Sequence, residues 1–92
     1  MAHTAGEKKQ LLARINRIQG QMKSIREAIE EERPCEDVLQ QIAACRGAMN
    51  SLLVEIVEGE IRFHVLDKNA KVDSNQTRAA ENLISILHRY IK

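Results

Sequence analysis

Apolar residues recur along this chain at steps of three and four, and they sort into three helical segments. The longest runs from Pro34 to His64, PCEDVLQQIAACRGAMNSLLVEIVEGEIRFH, with Gly59 as a breaker near its end. Leu39, Ile42, Met49, Leu53, Ile56 and Val57 fall on one stripe of that helix, a face that must be covered by a partner. Pro34 suits the first turn, where its missing N–H is not needed, and Glu36 and Asp37 stand at the positive end of the helix dipole. An earlier helix, from about Ala5 to Glu31, carries Leu11, Ile15, Ile18, Met22, Ile25 and Ile29 as a heptad seam. The EERP turn between the two is so short that they must form an antiparallel hairpin. Polar residues from Leu66 to Asp73, LDKNAKVD, read as a loop. Ser74 can then cap a third helix reaching about Ile91, with Leu83, Leu87, Tyr90 and Ile91 as its buried stripe.

Composition sharpens this to an all-α chain. Aromatic residues make up 2% and there is no Trp, so Leu, Ile, Val, Ala and Met must build the core, with little β signal. Ninety-two residues form one domain, 1–92, and bury a modest share of their surface alone, so an oligomer of a helical bundle is expected. No apolar run approaches the ~20 residues of a membrane span. MAHTAGEKK lacks the apolar core of a secretory signal, so a cytoplasmic protein with no membrane partner is expected. Cys35 and Cys45 lie on one helix about 15 Å apart and are read as free thiols. Cys45, among Ala43, Ala44 and Gly47, is read as core at a close helix approach.

The net charge of +1 hides an uneven distribution. Residues 1–26 carry Lys8, Lys9, Arg14, Arg17, Lys23 and Arg26 against Glu7, a balance of +5, and residues 27–37 carry −5. This order opposes the dipole of the first helix, so something other than helix stability accounts for it. Projected around that helix, Gln10, Arg14, Arg17 and Gln21 fall on one strip about a quarter turn from the apolar seam. Such a strip is either a solvated face or a ridge whose arginine and amide donors track phosphates, an effect that an oligomer multiplies.

The candidate chemistry sits at the two ends of the Pro34–His64 helix: a thiol at Cys35, and a carboxylate and an imidazole one turn apart at Glu60 and His64. At 1.5 Å per residue, Cys35 and His64 are roughly 43 Å apart along a straight helix, whereas metal–ligand bonds span about 2–2.3 Å. One chain cannot close such a site. Two helices paired antiparallel can, twice per dimer, and the hairpin brings His3 to the same end as Glu60 and His64. Each group also has an ordinary reading: Cys35 as a small packed residue, Glu60 and His64 as a surface pair, His3 as a loose terminus, and His88 as the polar side of the third helix. Gly59, beside Glu60, suggests a local bend that could aim ligands.

The run Lys9 to Gln21, KQLLARINRIQGQ, then Cys35 and LQQIAACRGAMNSLL from Leu39 to Leu53, resembles the CsoR/RcnR/FrmR family of small bacterial ligand-sensing repressors over nearly the whole chain. The resemblance implies three-helix subunits in antiparallel dimers that pair into tetramers. It further implies operator DNA bound by the apo state without a helix-turn-helix, and release when an effector occupies the dimer interface. It assigns Arg14 and Arg17 to DNA contact, with Lys9, Gln10 and Gln21 beside them. The ligand pattern His3, Cys35, Glu60, His64 is similar to the His, Cys, His, His of RcnR-type nickel and cobalt sensors, with Glu60 replacing one imidazole. This implies Ni(II) or Co(II), with Zn(II) as a further candidate, in a mixed nitrogen, oxygen and sulfur site and with no organic cofactor. Copper(I) sensors of the family carry a second thiolate where His64 stands. The alternative effector is formaldehyde, as in FrmR-type sensors, joining the N-terminal amine to Cys35; those relatives have proline where this chain has Ala2.

Two other classes fit part of the pattern. A metal-trafficking helical bundle would use the same ligands but leaves the Arg14 and Arg17 ridge without a purpose. A thiol enzyme with Cys35 as nucleophile and His64 as base lacks an oxyanion hole in sequence, so a non-enzymatic protein is expected.

Overall fold

The computed structural model describes residues 5–65, 69, 71, 72 and 74–91. It is built from helices alone among those residues: α1 (Ala5–Glu30), α2 (Cys35–Glu60), a π-helical turn (Ile61–Val65) that continues α2, and α3 (Asn75–Tyr90). α1 and α2 form the expected antiparallel hairpin, and α3 lies against the far end of α2 and the π turn.

The connection is a Schellman turn. Arg33 N–H donates to Ala28 O at 3.0 Å and Glu32 N–H to Ile29 O at 3.1 Å, which satisfies the last carbonyls of α1. Closing that turn puts Glu32 at φ 56, the left-handed region that glycine usually fills. Pro34 is the N-cap of α2, one position before the helix, with ψ 143. Its extended backbone starts the new helix, as a residue with fixed φ and no N–H should.

The core is a narrow line between α1 and α2. Ile18 and Ile25 pack on Cys45, flanked by Ala48 and Leu52. Val54 is 1% exposed, and Ala28, Ile61 and Ile84 are also buried. On α1 the inward positions are therefore Leu11, Ile18, Ile25 and Ala28, and only half of the heptad seam faces α2. Ile15, Met22 and Ile29 form a second stripe, left open. On α2 the split is sharper. Cys45, Ala48, Leu52 and Val54 turn inward, and most of the stripe marked for burial by its spacing stays open, with Leu39, Ile42, Met49 and Leu53 44–59% exposed and only Ile56 and Val57 at its end half-buried. The molecule measures 56 × 28 × 13 Å. Its least dimension is about one helix diameter, so the hairpin is a single layer with apolar side chains on more than one face.

Two sequence expectations shift. The Pro34–His64 helix is not uniform, because the last turn widens to π after Glu60, next to the Gly59 that marked a bend. On α3, Ser74 caps as expected, its hydroxyl accepting from Thr77 N–H at 3.1 Å, and the helix stops at Tyr90 with Ile91 as C-cap. Its inward stripe is nevertheless Thr77, Ala80, Ile84, Leu87 and Ile91, while Leu83 and Tyr90 are exposed. Thr77 is turned toward the start of its own helix, its hydroxyl donating to Lys71 O at 2.7 Å. The expected loop at 66–73 lies largely outside the described residues.

Candidate effector site and nucleic-acid ridge

Cys35 is the first residue of α2 and is exposed; Glu60 is its last, also exposed, and His64 is exposed on the π turn. The structure therefore keeps the thiol at one end of α2 and the carboxylate and imidazole at the other. Among the described residues, no three Cys, His, Asp or Glu side chains of one chain come together in a metal-binding group. His3 lies outside the described residues. Cys45, by contrast, is 6% exposed inside the hairpin, as its small neighbours suggested.

Just before and within the π turn lies a charged network that the sequence only hinted at. Arg62 donates from Nη1 to Glu81 Oε1 at 2.6 Å and from Nη2 to Glu81 Oε2 at 3.3 Å, a two-pronged clamp from the π turn to α3. Its Nε donates to Glu58 Oε2 at 3.3 Å, and Glu58 Oε1 lies 2.6 Å from His88 Nε2. The His88 hydrogen bond, followed by the Arg62 contacts, holds the Glu58 carboxyl below its usual pKa despite partial burial. The Glu81 and Glu58 carboxylates push the Arg62 guanidinium higher still. The Glu58–Arg62 pair was readable as an i, i+4 spacing; Glu81 and His88 could be added only once α3 was folded back. His88 is thus one of the polar groups tying α3 to α2.

Beside this network a cleft of about 270 Å³ opens between the start of α1 and the end of α2, lined by Gln10, Glu55, Glu58, Gly59 and Arg62 among others. It joins the end of α2 that bears Glu60 to the basic strip of α1. Along that strip Lys9, Gln10 and Arg17 are exposed, whereas Arg14 and Gln21 are half-buried against α2. Arg14 Nε lies 3.2 Å from Glu55 Oε2, an ion pair with the two side chains 39% and 41% exposed but without the alignment of a hydrogen bond. Gln21 Oε1 and Gln41 Oε1 are buried and unpartnered. The strip is one face of α1 as projected, but its upper edge turns into the hairpin. Glu55, absent from the sequence-based list of site residues, is what holds it there.

The sequence comparisons bear directly on this arrangement. The model of a family described as metal-sensitive transcriptional repressors matches residues 7–89. The chain belongs to that family. It is 40% identical over its full length to an uncharacterized protein in the bioA 5′ region of Serratia marcescens, and 37% identical, again over all of both chains, to the transcriptional repressor RcnR of Citrobacter koseri. A solved structure of a glutamate-to-histidine variant of the formaldehyde-responsive regulator FrmR from Salmonella enterica serovar Typhimurium is similar, with TM-score 0.68 and 37% identity, over 98% of this chain and 99% of that one. The CsoR/RcnR/FrmR resemblance and the all-α fold are thereby established. The family is one of non-enzymatic regulators, and membership implies a metal effector, DNA binding and self-association. No helix among the described residues is long and apolar enough to cross a membrane.

Proposed function

We propose that the chain is a repressor that binds operator DNA as an apo tetramer and releases it when Ni(II) or Co(II), or Zn(II), is held between subunits by His3, Cys35, Glu60 and His64. The observation that carries this reading is the geometry of α2. Its thiol end and its carboxylate–imidazole end are separated by the open stripe Leu39, Ile42, Met49 and Leu53. An antiparallel partner laid on that stripe covers the apolar surface and sets Cys35 of each chain beside Glu60 and His64 of the other. The donor set suits the ions: a thiolate, a carboxylate and imidazoles together match borderline divalent metals better than Cu(I), which favours sulfur alone. Such a metal supplies a cross-link between subunits. The chain's part is to hold the ligand ends in reach and to carry their closing along α2 to α1, where Arg14, Arg17, Lys9, Gln10 and Gln21 meet the DNA. A coupling of about 1–3 kcal/mol between the sites is typical and enough to lift repression.

The similarity to a formaldehyde-responsive regulator, together with an exposed Cys35, supports a second reading in which formaldehyde bridges the N-terminal amine and Cys35. One titration separates the two: fluorescence anisotropy of labelled operator with apo protein, then with Ni(II), Co(II), Zn(II) or formaldehyde, in wild type and His64→Ala. Release by a metal, abolished in His64→Ala, supports the metal sensor. Release by formaldehyde alone, untouched by His64→Ala, moves the chain to the aldehyde reading. Absence of operator binding under every condition leaves the metal-trafficking bundle.

A further inference from the structure

We infer that Glu55 acts as an internal stand-in for DNA phosphate on Arg14, so that each chain carries a latch that withholds one of its cations until DNA displaces it. The inference rests on the DNA-binding reading above and names a positioning residue that this reading did not contain. Within the α1 strip, Arg17 is exposed, while Arg14 is drawn into the hairpin by a carboxylate 3.2 Å from its Nε. The contact has the features of an exchangeable pair. Both side chains keep roughly two fifths of their surface in water, and Glu55 Oε2, the oxygen that faces Arg14, is buried yet has no hydrogen-bond partner, so the pair holds it without the alignment of a hydrogen bond. Pairs this exposed are weak, so a phosphate diester arriving at the strip competes on comparable terms. Glu55 presents what the phosphate presents, an anionic oxygen to a guanidinium.

The position of Glu55 gives the latch a second property. It lines the cleft shared with Glu58, Gly59 and Arg62, five residues before Glu60 on the same helix. Any displacement of that end of α2 along or about its axis moves the Glu55 carboxylate relative to Arg14. The charge available to DNA on α1 is thereby tied to the position of the end of α2 without any side chain passing between the two sites.

The test is a double-mutant cycle read by anisotropy on a fluorescein-labelled duplex of arbitrary sequence, because the claim concerns phosphates alone. Glu55→Gln keeps the size of the side chain and removes its charge. It should tighten duplex binding roughly two- to fivefold for each engaged chain at low salt. It should also steepen the log–log salt dependence, by up to about 0.9 per Arg14 newly set on a phosphate. In an Arg14→Gln background the same substitution should change neither quantity, and Glu55→Asp should restore the wild-type slope. An equal gain in both backgrounds would reduce Glu55 to a general negative charge, and no gain in either would remove the latch while leaving the repressor reading intact. Failure of wild type to bind any duplex at low salt would overturn both together. Circular dichroism melting of each variant guards against a folding effect; a Glu55→Gln gain that tracks a change in melting rather than in salt slope counts against the latch.

Discussion

Replacing Glu32 by glycine should stabilise the protein, and the turn geometry sets the size of the gain. Glu32 sits at φ 56 because Arg33 N–H and Glu32 N–H must reach back to Ala28 O and Ile29 O to finish α1. A side chain in the left-handed region costs roughly 1–2 kcal/mol through the clash of Cβ with the following carbonyl. Glycine removes that cost but brings a more flexible unfolded chain, which returns roughly 0.5–1 kcal/mol. The net gain is about 0.5–1 kcal/mol. For a urea slope of about 1–3 kcal/mol/M, the unfolding midpoint followed by far-UV circular dichroism should rise by a few tenths of a molar. Glu32→Ala separates backbone from charge, since it also removes a carboxylate from the negative end of α1 but keeps Cβ. Glu32→Gly should exceed Glu32→Ala. A Glu32→Gly midpoint at or below that of Glu32→Ala would refute the strained turn as the reason.

Other expectations follow from the same contacts. A Cβ at Gly20 would meet nothing within 4 Å beyond its chain neighbours and the backbone of its own helix, so Gly20→Ala should raise stability by about 1 kcal/mol through helix propensity, measured by urea unfolding. Met49→Glu, on the open stripe of α2, should leave the far-UV spectrum helical but reduce the mass seen in sedimentation velocity; an unchanged mass would remove that stripe from the subunit contact. Because Glu58 has its pKa lowered below 4.5 in the folded state, its contribution is fully present above pH 4.5 and is lost as pH falls through the folded value. The difference in urea midpoint between wild type and Glu58→Gln should accordingly shrink as the pH falls below about 4.5. Toward a thiol reagent, exposed Cys35 should react quickly and buried Cys45 slowly, with Ni(II) slowing only Cys35.

Helix existence and ends were the most legible part of this chain. Ser74 as a cap, the tight turn after Glu31 and the helical run from Cys35 onward all follow from local chemistry that needs no partner. Which apolar residues face inward was less legible. Leu11, Ile15, Ile18, Met22, Ile25 and Ile29 form one broad seam in projection, yet α2 takes only the Leu11, Ile18 and Ile25 side, because the helical period marks every apolar position alike and does not say which of them a neighbour covers. On α3 the inward stripe includes Thr77 and Ala80, which give no strong hydrophobic signal, while Leu83 and Tyr90, which do, are exposed. At the site, the separation of Cys35 from Glu60 and His64 was computable from helix rise alone. The partnership of Arg14 with Glu55 was not, since they stand forty-one positions apart in the chain and only the hairpin register brings them together. The π turn between Glu60 and Val65 had one clue, Gly59, and that clue could not say that the turn would widen rather than break.

The narrow core has a consequence for how the protein behaves as a population of molecules. Among the described residues the buried apolar set is Ile18, Ile25, Ala28, Cys45, Val54, Ile61 and Ile84, a thin line for a chain of this length. Stability then depends on what covers the open stripes of α1 and α2, and if that cover is another copy of the chain, folding is governed by mass action. Each tenfold dilution costs a dimer about 1.4 kcal/mol of its formation free energy. The copy number of the chain becomes a variable of its own stability, so that a sparse pool melts at a lower temperature than an abundant one of identical sequence.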